Sequence, residues 1–229
     1  MSMTVTGISS MATRQILSEL ASAYQQASGQ AVSIESVGGV DAAKRIRAGE
    51  PFDLAVLASD ALRQLEADGA LVAGSIVEIA ESPMAMAVRA GAIRPDPLDE
   101  AAVRAALANA ASIGISTGPS GAHVVKLARD WGLENEIASR IVQAKPGIPV
   151  AKLLADGAVE VGFQQLSEMQ GAPGIDIVGL LPEALQPKTI FAAAICKAAG
   201  HAEAARGFIS YLASPATADT KRRHGMTPL

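Results

Sequence analysis

Three turns of this 229-residue chain put small hydroxyls and glycines where helices are about to begin: Ile8-Ser-Ser-Met11, Val37-Gly-Gly-Val40 and Ser116-Thr-Gly-Pro-Ser-Gly121. Each offers free backbone N–H groups at a helix N-terminus. The macrodipole favours negative charge there, so an anion can be held without Lys or Arg. Ser9, Ser10, Ser116, Thr117 and Ser120 read either as helix caps or as hydroxyl donors to a ligand. Gly38 and Gly39 read as a tight turn or as points where a ligand approaches the backbone closely. Arg14 follows the first turn, where a cation opposes the helix dipole. It is either a solvated surface side chain or a bidentate clamp for a carboxylate. His123 follows Gly121 in the first turn of a helix, a place that disfavours its protonated form and suits ligand contact or proton transfer. Gln164 and Gln165 follow the apolar run Val159–Phe163, where neutral amides can line a pocket.

Other chemistries lack their signatures. There is no G-x-x-x-x-G-K-[ST] phosphate loop, no G-x-S-x-G elbow and no dinucleotide fingerprint after a strand. His123, His201 and His224 are scattered without metal-ligand spacing, so neither a metal nor another cofactor is expected. The single cysteine, Cys196, can form no intrachain disulfide and reads as a buried structural thiol behind Phe191–Ile195.

The elements that must position these residues alternate. Strands are expected at Thr4–Ile8, Ala31–Ser36, Asp53–Ala58, Glu78–Ser82, Met84–Arg89, Ala111–Ser116, Ile141–Ala144, Val159–Phe163, Ile175–Leu180 and Thr189–Ile195. Helices are expected at Thr13–Gln26, Val40–Ala48, from Asp60 as cap to Ala67, Asp99–Asn109 after the Pro95/Pro97 loop, Ala122–Trp131 and Pro149–Ala155. Two more close the chain, the last with Ser214 as N-cap, Pro215 at N1 and Gly225 at C′. Strand–helix alternation predicts an α/β fold with mixed, mostly parallel sheets flanked by helices. In such sheets the strand-to-helix turns gather at the carboxyl edge, where ligands bind.

Composition agrees with a packed protein. Apolar residues make up 49% and charged residues 18%, too apolar and too weakly charged for disorder. Net charge is −4, which argues against nucleic acid as a partner. No apolar run reaches the roughly 20 residues that span a bilayer, so membrane insertion is not expected. The N-terminus has no basic or apolar leader region. The chain is therefore expected to be cytoplasmic if Met1 or Met3 is the native start, and periplasmic if a signal peptide has been removed.

Laid end to end, the pieces resemble the molybdate-type solute-binding proteins of ABC transporters. The residues that carry the resemblance are Ile8-Ser-Ser-Met11, Ala43-Lys-Arg-Ile-Arg-Ala-Gly-Glu-Pro-Phe-Asp-Leu54, Pro119-Ser-Gly121, Gly162-Phe-Gln-Gln-Leu-Ser-Glu168 and the closing Ser214-Pro-Ala with Arg223-His-Gly225. It implies the type 2 periplasmic-binding-protein fold: one lobe of residues 1–83 and 192–229, a second of 84–191, and Met84–Arg89 and Thr189–Ile195 as crossings. A small anion would bind in the cleft as the lobes close on a hinge. By the same resemblance Ser10 matches a hydroxyl ligand, and Gly39 and Val40 fall where the family carries serine. Ser120 and Gly121 match a backbone-donor turn, Pro149 or Val150 falls at another backbone contact, and Gln165 falls where molybdate binders carry tyrosine. The Gly-Gly-Val turn and the glutamine are departures that remove hydroxyl donors, so a di- or tricarboxylate fits better than molybdate.

Three readings follow. The first is a monomeric binding protein that delivers a small anion to an ABC permease. A second is an enzyme like aconitate isomerase, which resembles this family; His123, with Glu168 behind it, would then be the base for an allylic proton shift. The third is a sensor on the same fold as LysR-type effector domains, by analogy alone.

Overall fold

The computed structural model describes residues 3–94 and 98–229. Met1 and the Pro95/Pro97 loop therefore lie outside the described residues. The chain folds as two compact units, 1–82 with 189–229, and 83–188.

The first unit opens with β1 (Val5–Ser10), α1 (Arg14–Ser28), β2 (Val32–Val37), α2 (Gly39–Arg47), β3 (Leu54–Ala58), α3 (Ser59–Ala67) and β4 (Val77–Ser82). The second holds β5 (Met84–Arg89), α4 (Glu100–Asn109), β6 (Ile113–Ile115), α5 (Pro119–Asp130), α6 (Glu134–Ile137), β7 (Ile141–Gln143), α7 (Val150–Ala155), β8 (Val161–Gln165), α8 (Leu166–Met169) and β9 (Ile175–Leu180). The chain then returns to the first unit with β10 (Thr189–Ile195), α9 (Ala202–Leu212), α10 (Ala218–Arg223) and β11 (Thr227–Pro228). Met84–Arg89 and Thr189–Ile195 are thus each a full strand of one sheet.

The first sheet runs β11-β4-β10-β3-β1-β2. Strands β2, β1 and β3 are parallel, and β10 is antiparallel between β3 and β4. Strand β3 reads Leu-Ala-Val-Leu-Ala without a polar residue because both its faces are covered. Leu54 and Val56 pack under α1 and α9, with Ile16, Leu17, Leu20, Phe208 and Leu212. Ala55 and Leu57 point the other way, onto Ile46 of α2 and Leu62 and Leu65 of α3. Burying such an aliphatic side chain contributes about 1.5–3 kcal/mol. The register of β3 against β1 is pinned by Asp53, whose carboxylate accepts from the Thr6 N–H at 2.8 Å and the His201 N–H at 2.7 Å. Burial opposes its ionisation, yet these bonds hold the carboxyl below its ordinary value.

The second sheet runs β7-β6-β8-β5-β9, with β6 parallel to β7 and β8, and β5 antiparallel to β8 and β9. Met84, Met86 and Val88 face α4 and α5, while Ala85 and Ala87 face Val150, Leu154 and Met169. Helix α7 comes very close to this sheet. A Cβ on Gly162 would stand 2.6 Å from Val150 Cγ1, so only glycine allows the approach.

Several boundaries depart from the sequence-based expectation. Strand β8 runs through Gln165 because Gln164 and Gln165 pair with Ala85 and Met84, so the two amides end the strand rather than follow it. Helix α3 begins at Ser59, with Ala58 as N-cap and Asp60 inside the first turn. Ser214 opens a 3₁₀ turn, Pro215–Thr217, rather than the last α-helix. Its hydroxyl donates to Tyr211 O at 2.7 Å instead of capping, and Thr217 Oγ1 donates to Ser214 O at 2.8 Å.

Candidate functional site

In the first unit the carboxyl ends of β2, β1 and β3 lie side by side, and each feeds a helical turn. Ser9 is in register with Ser36, and their hydroxyls bond at 2.8 Å, a cross-strand pair that fixes Ser9 in place. Ser10 is different. It is buried, and its Oγ has no partner among the described residues. Its carbonyl accepts from Thr13 Oγ1 at 3.1 Å, which holds the turn but leaves the hydroxyl unused. Gly39 lies beside it: a Cβ placed on Gly39 would be 3.8 Å from the Ser10 Cβ. Gly38 is the N-cap of α2, and Val40 is 63% exposed.

Among the described residues, the N-caps Ser10, Gly38 and Ala58 of the three helical starts at this edge make no side-chain cap bond, as is also true of α1, α5, α8 and α9. Helix α4 is the exception: Asp99 accepts from the Ala102 N–H at 2.8 Å. The open starts present N–H donors and positive dipole ends, which suits an anion.

In the second unit two hydroxyls of one turn pair with each other. Ser116 Oγ lies 2.8 Å from Ser120 Oγ and accepts from the Gly118 N–H at 3.1 Å. Thr117 is half-buried in this loop. The Gly121 N–H donates to Gly118 O at 3.1 Å. A Cβ on Gly121 would fall 1.9 Å from the Ser116 carbonyl oxygen, so this turn closes only on glycine. His123 is half-buried, with Nε2 2.7 Å from Leu185 O. Because that carbonyl can only accept, Nε2 carries the proton and Nδ1 is the acceptor of the neutral ring.

A second chain of bonds joins β8 to α7 and α8. Gln164 Oε1 accepts from the Val150 N–H at 2.8 Å, and its Nε2 donates to Glu168 Oε2 at 2.6 Å. Pro149 is the N-cap of α7, and Gln165 is buried at the end of β8. Burial pushes the Glu168 carboxyl up to about 7, against the Gln164 bond, which favours its charged form.

Arg14 is exposed and lines a groove of about 790 Å3 between α1 and β2, with Gln25, Ser33, Ser36 and His224. Cys196 is buried and its thiol is pushed up to about 12 by burial, so it carries no thiolate at neutral pH. Among the described residues no His, Cys, Asp and Glu group is arranged to hold a metal ion. No helix among them is long and apolar enough to cross a membrane.

The structure adds one residue that sequence reasoning missed. Ser59, at the start of α3, is 4% exposed, and its Oγ, like that of Ser10, has no partner among the described residues. The available signal was a serine directly after the apolar run Leu54–Ala58, in the same strand-to-helix setting as Ser10.

Comparison with known proteins places this architecture. A family model described as bacterial extracellular solute-binding protein matches residues 5–227. An aconitate isomerase from a Pseudomonas species is 34% identical over 232 residues, covering 99% of this chain and 88% of that protein. The periplasmic molybdate-binding protein of Azotobacter vinelandii shares the fold at TM-score 0.82 and 22% identity, over 97% of this chain and 98% of the other. A tungstate-binding protein of Desulfovibrio alaskensis shares it at TM-score 0.67 and 16% identity, over 99% and 98%. Two helix-flanked mixed sheets, and a family match spanning nearly every residue, mean that the chain belongs to the bacterial extracellular solute-binding protein family, on the type 2 periplasmic-binding-protein fold.

Proposed function

We propose that this protein captures a small polycarboxylate, in preference to a tetrahedral oxyanion, using uncharged donors at the carboxyl edge of its first sheet. The observation that carries the reading is the Ser10 hydroxyl, buried at the end of β1 without a partner among the described residues. Leaving a buried hydroxyl unbonded costs about 1–3 kcal/mol, a cost that a ligand oxygen removes. The preference for carboxylates rests on Gly38, Gly39 and Val40, which offer backbone and space but no hydroxyl. On this reading the protein acts outside the cytoplasm as a monomer and passes its anion to an ABC permease. The test is a thermal-shift screen of trans-aconitate, cis-aconitate, citrate, molybdate and sulfate, followed by titration calorimetry. A ligand that binds only the folded state raises the midpoint by mass action. The carboxylates are expected to give the large shifts. A larger shift with molybdate overturns the preference, and no shift with any of the five overturns the reading.

A second reading has its own support. His123 presents Nδ1 as an acceptor, and Glu168 titrates near neutral pH, so the second unit carries two groups suited to proton transfer. With an allylic tricarboxylate, a base would take a proton from the CH2 carbon. Its return to the far alkene carbon would shift the double bond. The 34% identical aconitate isomerase favours trying this chemistry. Proton NMR of cis-aconitate with stoichiometric protein decides it: appearance of trans-aconitate supports the enzyme, and an unchanged spectrum with binding retained leaves the binder.

A further inference from the structure

The Ser59 hydroxyl, like that of Ser10, is buried at a strand-to-helix junction and has no partner among the described residues. Strands β1 and β3 are parallel neighbours in the register Gly7 to Leu54, Ile8 to Ala55 and Ser9 to Val56. Side chains alternate along a strand, so Ser10 shares the face of Ile8, Ala55 and Leu57. Helices α2 and α3 cover that face through Ala42, Ile46, Leu62 and Leu65. Both helices begin at the edge where β1 ends, α2 with Gly39 against Ser10, and α3 with Ser59.

Three side-chain atoms are buried without a partner among the described residues, and two of them are the hydroxyls of Ser10 and Ser59. Ser59 is only 4% exposed, yet it does not cap its helix: the N-cap is Ala58, which has no side-chain oxygen to offer the first amides. A structural serine at a helix start would be bonded to its own turn. This one is not, and the amides beside it are equally unclaimed by any side chain.

We propose that Ser59 donates a hydrogen bond to the bound anion, together with Ser10 and the open amides of α2 and α3. The inference rests on the anion-binding reading above and extends the site to a third strand-to-helix junction. Three adjacent junctions supply donors to more than one oxygen, which suits a ligand with several carboxylate oxygens.

The test uses the full chain and titration calorimetry with trans-aconitate, citrate and molybdate, on the wild type, Ser59→Ala and Ser59→Cys. Both variants are expected to bind roughly tenfold or more weakly, since a charge-assisted hydrogen bond is lost. The thermal midpoint of the ligand-free protein is expected to stay level or rise, because no bond of the folded chain is removed. Binding by Ser59→Ala within twofold of the wild type overturns this inference and leaves the anion-binding reading standing. A ligand-free midpoint lowered by several degrees overturns it too, by making the hydroxyl structural. If the wild type binds none of the three anions, the anion-binding reading fails and takes this inference with it.

Discussion

At the end of β1 the buried Ser10 hydroxyl has no partner among the described residues, whereas at the start of α5 Ser116 and Ser120 bond each other at 2.8 Å. The same contrast runs through both sheet edges. In the first unit Ser9 and Ser36 bond each other, but the buried hydroxyls of Ser10 and Ser59 have no partner among the described residues. In the second, Gly118, Val150, His123, Gln164 and Glu168 are already tied to protein atoms. Equivalent turn chemistry has therefore been put to two uses. Unpaired donors gain most from a ligand, because the ligand replaces nothing. Paired donors are held in place by their bonds, so they give shape and rigidity, and any ligand must compete with an existing partner.

The largest test of that difference is steric. Gly121→Ala drives a methyl to within 1.9 Å of the Ser116 carbonyl oxygen, and a backbone atom cannot swing aside as a flexible side chain does. We expect a loss of about 3 kcal/mol in unfolding free energy by urea titration. A loss below about 1 kcal/mol would mean that the α5 turn adapts easily, and the second edge would not be the rigid one.

A smaller effect is electrostatic. Glu168 has its folded pKa raised to about 7 from 4.5. Between those values the folded state binds more protons than the unfolded state, so stability falls as pH rises from about 4.5 to about 7. Glu168→Gln keeps an acceptor for Gln164 Nε2 and removes the charge. The variant is expected to gain on the order of 2 kcal/mol over the wild type at pH 8 and little at pH 4.5. Parallel stability curves across that range would show that Glu168 is not desolvated, and that the α7–α8 bonding network is looser than its distances imply.

These contrasts also separate what the chain's residues announce from what they conceal. The alternation of strands and helices was legible because Leu54–Ala58, Met84–Arg89 and Thr189–Ile195 are apolar runs bounded by turn residues. The start of β8's final pair was not: nothing in Gln164-Gln165 shows that their backbones pair with β5, since polar residues usually end a buried strand and tertiary pairing overrode that preference. The serine turns were legible as places for donors. Their state was hidden, because whether a hydroxyl is already bonded depends on neighbours distant in sequence. Ser36 occupies Ser9 from 27 residues away, while Ser10, next in the chain, has no partner among the described residues. Ser59 was missed for that reason. With Asp60 expected as the cap of that helix, Ser59 carries no signal of its own, and only its burial without a partner among the described residues sets it apart.

The smallest expected change in stability tests the open edge directly. A Cβ on Gly39 meets only the Ser10 Cβ, at 3.8 Å, and Gly39 is not among the glycines held at positive φ. Gly39→Ser is therefore expected to leave unfolding free energy within about 0.5 kcal/mol of the wild type. Its effect should appear in selectivity instead. The new hydroxyl adds a donor beside Ser10 and takes up room next to the α2 amides. That favours a compact oxyanion and crowds a branched carboxylate. Calorimetry should show the molybdate-to-citrate affinity ratio rising by about tenfold, the worth of one added hydrogen bond to a charged group. An unchanged ratio would put the Gly38–Val40 turn outside the ligand's reach, and the donor edge would shrink to Ser10 and the start of α3.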